Sequence, residues 1–216
     1  MRIGPAKLTP LPREAWTDEA RAVFAFWGEP GAYENGSNSN MVMTLARHPA
    51  LAIAYYTFGK HLMIASTLPA RDRELIVLRI AWLLRSAYEW HYHVGYALHL
   101  GIRLDEIAAI GEGADAASWS ERDAAVLRSV DDLHARSRLS DGCSAMLSRH
   151  FDDRQRIDMV FTIGNYVMLG WAILALDIEL EDGIDPIGFD LRTRSGAPPV
   201  ARYKPGEVAD WTSNRG

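Results

Sequence analysis

The segment ELIVLRIAWLL, residues 74–84, constrains the fold more than any other stretch. At helical spacing its apolar side chains point in nearly every direction, so it is expected as a buried helix wrapped by others rather than one lying on a surface. Glu74 and Arg79 interrupt it, and a buried charge needs a partner or a purpose. The rest of the chain supplies the wrapping helices. TDEARAVFAFWGE opens on Thr17 as an N-cap with acids in its first turn. Pro69 opens the buried helix itself. SWSERDAAVLRSVDDLHAR starts at Ser120 with Asp123 three residues on, close to a capping box. Pro49 breaks an apolar run at His48, and Gly101 stops the helix that contains SAYEWHYHVGYALHLG. EPGAYENGSNSN reads as a loop. No stretch shows the sustained alternation of a strand, so the expected fold is all-α.

The expected organisation is one helical-bundle domain over residues 1–185, followed by an extended tail over 186–216. The tail is rich in Pro, Gly and charge, and its isolated Phe189, Tyr203 and Trp211 need a surface to rest on, within the chain or on a neighbouring subunit. A formal net charge of −5 without a basic cluster gives no electrostatic case for nucleic acid. With Cys143 as the single cysteine, an internal disulfide and a cysteine metal framework are both excluded. No apolar signal core is evident near the start, and no run is read as approaching a membrane span. A cytoplasmic protein without a membrane partner is expected.

The chemistry concentrates in RSAYEWHYHVGYA, residues 85–97. Ser86, Glu89 and His93 share one helical face, within roughly 60° of arc. An acid and an imidazole one turn apart can exchange a proton and shift each other's pKa, which is the layout of a general acid–base pair. A solvated Glu–His pair has the same spacing. An unbroken helix would put Arg79 in line with Ser86 and His93, whereas a break near Arg85–Ser86 would fold Glu74 back against the second helix. A buried Glu74–Arg79 ion pair is the structural alternative. A metal site is another, with Glu89 and His93 as ligands and a third from His61 or His48. His91 lies about 160° from His93 and does not join that face. His48, ahead of Pro49, fits capping or packing better.

The stretch LPARDRELIVLRIAWLLRSAYEWHYHVGYALHLGI resembles the core motif of the carboxymuconolactone decarboxylase and alkylhydroperoxidase D superfamily. The peroxidase branch carries Glu, then Cys-x-x-Cys, then x-x-x-His, and that register falls here on Glu74, Ser86, Glu89 and His93. Both redox cysteines are replaced, and neither serine nor glutamate performs thiol–disulfide exchange. The resemblance therefore implies the cysteine-less decarboxylase branch, not a thiol peroxidase. It implies an all-helical homo-oligomer, dimer-based, trimeric or hexameric, with its site near subunit contacts and no cofactor.

On this reading His93 is the proton donor or acceptor, aimed by Glu89, with Glu74 as a second acid. Arg79 or Arg85 would hold a substrate carboxylate or enolate oxygen, and Ser86 and Tyr88 would donate to a carbonyl. The expected substrate is a small enolisable lactone or carboxylated compound, the reaction decarboxylation, lactone opening, isomerisation or retro-aldol cleavage. A non-catalytic oligomer with a decayed peroxidase site is the competing expectation.

Overall fold

The computed structural model describes residues 7–28 and 30–184; the expected tail, with Phe189, Tyr203 and Trp211, lies outside them. All described regular structure is helical, as expected. Within the span read as one domain, the chain makes two compact units. One runs to Ser66 and resumes at Trp171; the other is Thr67–Gly170.

The first unit contains α1 (Asp18–Trp27), α2 (Ala32–Asn35), α3 (Asn40–Leu45) and α4 (Pro49–Lys60), closed by a π turn at His61–Ala65. Thr17 caps α1, its hydroxyl accepting from the Ala20 amide at 3.2 Å. His48 caps α4 through a ring nitrogen that accepts from the Leu51 amide at 3.4 Å, and Pro49 follows it at the first helical position. His48 is thus a capping residue, and His61 is exposed. Val23, Phe24, Val42, Ala52 and Tyr56 form this unit's core. Asn40 ties it to the returning chain, its amide donating to Glu181 at 2.7 Å and its side chain to the Glu179 carbonyl at 3.1 Å.

The second unit is built on α5 (Ala70–Leu84), with α6 (Ala87–His99), α7 (Leu104–Ala109), α8 (Glu121–Arg136) and α9 (Asp141–His150). A final helix, α10 (Asp153–Ala175), belongs to it as far as Gly170. Leu75, Ile76, Val77, Leu78, Ile80 and Ala81 of α5 are all fully buried, as an all-round apolar helix requires. Each large aliphatic among them contributes about 1.5–3 kcal/mol of burial. Charged side chains fix the rim. Arg71 of α5 reaches Glu106 of α7 at 2.6 Å and Asp123 of α8 at 3.2 Å, and Arg122 of α8 returns to Asp72 at 2.5 Å.

The turn between α5 and α6 positions the chemistry. Arg85 ends α5 in the left-handed conformation at φ 59°, and the Ser86 amide donates back to the Ala81 carbonyl at 2.9 Å. This is a Schellman closure, built on arginine where glycine is usual, at a cost of about 1 kcal/mol. Ser86 then caps α6, its hydroxyl accepting from the Glu89 amide at 3.4 Å. The chain reverses within two residues, so α6 packs back along α5.

One expectation needs correcting. The 23-residue α10 does contain an 18-residue window of mean hydropathy 1.5, long and apolar enough by composition to cross a membrane. Its inner face is nevertheless core, since Met159, Ile163, Tyr166 and Leu169 are buried. The same face carries the buried polar side chains Thr162 and Asn165.

Candidate functional site

The buried ionisable groups of the second unit include Glu74 on α5, and Glu89 and His93 on α6. Glu74 and Glu89 are each 2% exposed and His93 is 8% exposed. His93 Nδ1 lies 2.6 Å from Glu74 Oε2. The other carboxylate oxygen, Oε1, accepts from Arg73 Nε at 3.3 Å. Glu74 therefore bridges a guanidinium and an imidazole. With Glu74 ionised, Nδ1–H donates to it, and the lone pair is left on Nε2.

Glu89 is different. Among the described residues, neither carboxyl oxygen has a hydrogen-bond partner, although both are buried. Burial pushes its pKa up to about 8, and Ser86 at the same helix start offsets only part of that rise. At neutral pH it is a carboxylic acid rather than a carboxylate, and so can donate a hydrogen bond. Its space is set by α10. A Cβ on Gly170 would come within 2.7 Å of Glu89 Oε2 and 2.5 Å of Leu84 Cδ1, so any side chain there would have to displace one of them. One turn along each helix, Tyr166 meets the His93 ring edge-on, with centroids 5.2 Å apart and planes at 89°. Tyr96 of α6 also meets it edge-on, at 5.2 Å and 82°.

The expected residues are placed as follows. Glu74 and His93 come together; the turn at Arg85 folds α6 back, as one of the two sequence alternatives allowed. The orienting acid on His93 is Glu74, however, where the sequence reading assigned Glu89. The alternative Glu74–Arg79 ion pair does not form. Arg79 Nε donates to Asp131 at 2.7 Å and its Nη1 to the Ile110 carbonyl at 2.7 Å. A Cβ at Gly113, which has φ +83°, would lie 2.8 Å from Arg79 Nη2. Arg79 thus braces the 110–113 loop against α8. Arg85 is exposed at the α5 cap, Ser86 is fully buried at the α6 cap, and Tyr88 is buried with its ring 5.1 Å from Tyr92.

Sequence reasoning missed Arg73, Tyr166 and Gly170. Arg73 was hidden by being the immediate neighbour of Glu74, since adjacent helical residues do not ordinarily face one another. Gly170 did carry a signal, because glycine inside a helical pattern marks a close approach. Tyr166 carried none. Among the described residues, no three His, Cys, Asp or Glu side chains converge as a metal's ligand set.

The Carboxymuconolactone decarboxylase family model matches residues 49–132, which include Glu74, Glu89 and His93. No curated protein matches the chain. Among solved structures, an alkylhydroperoxidase AhpD core, an uncharacterized peroxidase-related protein from Ralstonia eutropha, is similar at 18% identity and TM-score 0.68, over 82% of this chain and 94% of that one. An uncharacterized peroxidase-related protein from a Silicibacter species is similar at 18% identity and TM-score 0.66, over 84% and 96%. The debrominase Bmp8, in complex with 2,3,4-tribromopyrrole, is similar at 17% identity and TM-score 0.64, over 87% and 94%. At these identities the likeness to the solved structures is one of fold.

Proposed function

We propose, from the match of the Carboxymuconolactone decarboxylase family model over residues 49–132 and the AhpD-like fold, that the chain is a member of that superfamily and a cofactor-independent enzyme transferring protons on a small enolisable carbonyl or lactone substrate, of lyase or isomerase type. The observation that carries this reading is the buried Glu74–His93 contact at 2.6 Å beside a carboxyl group, Glu89, that is neutral near pH 7.

Each group then has one task. His93, its Nδ1–H held by Glu74, takes a proton from carbon through Nε2 and becomes an imidazolium that the carboxylate stabilises. The electrons move toward the substrate carbonyl, and Glu89 donates a hydrogen bond or its proton to the developing enolate oxygen. A carboxylic acid kept protonated by an apolar site for this purpose is an established catalytic device. Where carbon dioxide is lost from a carboxylic acid substrate, His93 Nε2 first takes the carboxyl proton, the C–C bond breaks to give the same enolate, and the imidazolium returns that proton to carbon. Arg73 donates to the second oxygen of Glu74 and holds that carboxyl group in place, and Arg79, held by Asp131, is given a bracing role.

Thiol chemistry has no support at this site. Ser86 and Glu89 stand where the peroxidase branch has cysteines, and Cys143 is buried on α9 with its thiol pushed up to about 11. A small ring substrate fits the size of the compound held by the debrominase of similar fold. The reading includes a homo-oligomer in the cytoplasm, and the exposed Ile157, Val160 and Met168 on α10 offer a surface for the subunit contact.

Deuterium uptake into a panel of enolisable lactones and keto acids tests the reading. Wild-type protein is expected to speed exchange at the acidic carbon. His93→Gln and Glu74→Gln are expected to lower that rate by about 10²–10⁴-fold.

A further inference from the structure

The geometry points to Tyr166 as a positioning residue for His93, one supplied by α10 from outside the stretch that carries the family motif. The match to the family ends at residue 132, and Tyr166 lies on a different helix from every motif residue. This inference rests on the proton-transfer reading above.

The argument begins with the imidazole torsion. The last torsion of a histidine side chain joins an sp³ to an sp² carbon, so its energy well is broad and roughly two-fold. Rotamer preference alone does not decide which ring edge faces Glu74. A half-turn of the ring would replace Nδ1 by a carbon, break the 2.6 Å contact and strand a buried carboxylate oxygen. The Glu74 contact selects one ring edge, and the packing neighbours of the ring hold it in register with that contact. Tyr96 comes from the same helix, three residues on, and is only half-buried. Tyr166 is 4% exposed and meets the ring at 5.2 Å with planes at 89°.

Tyr166 is itself fixed by the core. Ile163 and Leu169, on either side of it in α10, are buried. One helical turn further on, Gly170 lets α10 approach Glu89, which lies one turn before His93 on α6. The α10 register that admits the Glu89 carboxyl therefore also sets the ring against His93. The family motif supplies the ionisable groups, and α10 fixes which nitrogen of His93 faces Glu74 and which faces substrate.

The test is imidazole nitrogen NMR on protein labelled with ¹⁵N-histidine, with no substrate required. The seven histidines are separated by assigning His93 through a His93→Gln variant. Wild type and Tyr166→Phe, which keeps the ring, are expected to show His93 in a single tautomer protonated at Nδ1. In Tyr166→Leu the population of that tautomer is expected to fall by about twofold or more, as the two-fold torsional well is freed. An unchanged single tautomer in Tyr166→Leu overturns the inference.

If that variant does not fold, the wild-type protein decides. One of the two carbon-bound His93 protons should show a persistent Overhauser contact to the Tyr166 ring, and equal averaged contacts from both overturn the inference. These readouts are independent of turnover. A His93→Gln variant that keeps full activity would therefore sink the proposed function without touching the tautomer result.

Discussion

Glu74 and His93, on consecutive helices and 19 positions apart, meet at 2.6 Å because Arg85 turns the chain through a left-handed residue between them. The contact is the product of a turn as much as of two side chains. A β-branched residue at position 85 would resist φ 59° and loosen both the turn and the pair.

Glu89 gives the fold a specific pH signature. Its pKa is raised in the folded protein, from an ordinary 4.5 to about 8, so the folded state holds a proton that the unfolded chain releases. Stability from this group is full below about pH 4.5, falls as pH rises through the window and levels off above about pH 8. The slope is at most about 1.4 kcal/mol per pH unit. Urea denaturation of wild type and Glu89→Gln at several pH values across that window checks this. The variant, which keeps the shape and a donor without titrating, is expected to gain stability relative to wild type as pH rises. Parallel profiles would show that Glu89 titrates normally.

Gly170 is expected to tolerate no side chain. In Gly170→Ala the helix-propensity gain of about 1 kcal/mol is offset by contacts at 2.5 Å with Leu84 and 2.7 Å with Glu89. Overpacking of this kind costs about 1–3 kcal/mol. A melting temperature lower than wild type, with activity reduced because the Glu89 carboxyl is displaced, is the expected pair of results. Equal stability and equal activity would mean that α10 yields without consequence.

Arg79 separates bracing from substrate binding. Arg79→Met removes hydrogen bonds to Asp131 and to the Ile110 carbonyl, and is expected to cost about 1–3 kcal/mol of stability. KM for any identified substrate should stay within about twofold of wild type, because no uniform binding is removed. A tenfold rise in KM with stability intact would instead make Arg79 an anion clamp, as the sequence reading had it.

Much of the fold was legible because helix ends have local causes. Thr17, His48, Pro69 and Ser120 act where short-range chemistry puts them, and the apolar α5 could only be interior. The Ser86, Glu89 and His93 face was also legible, since helical spacing is exact over one or two turns. What escaped was decided by tertiary contact. Arg85 adopts a glycine-like conformation without being glycine, so the sequence left the turn open and with it the partner of His93. Arg79 was read as a partner of Glu74 or a holder of substrate because Asp131 and Gly113, which it contacts, are distant in sequence. Tyr166 belongs to a helix whose composition suggests only a buried stripe.

The assignment of Glu74 and His93 as a proton-transfer pair is tested most directly by one comparison. Deuterium incorporation into an enolisable lactone that wild type accepts is followed by proton NMR, with wild type and His93→Gln at equal concentration and with both variants' folding confirmed. The expected result is rapid exchange by wild type and a rate at least about 10²-fold lower in His93→Gln. Exchange at the wild-type rate in a folded His93→Gln protein would contradict the assignment and move the base elsewhere in the molecule.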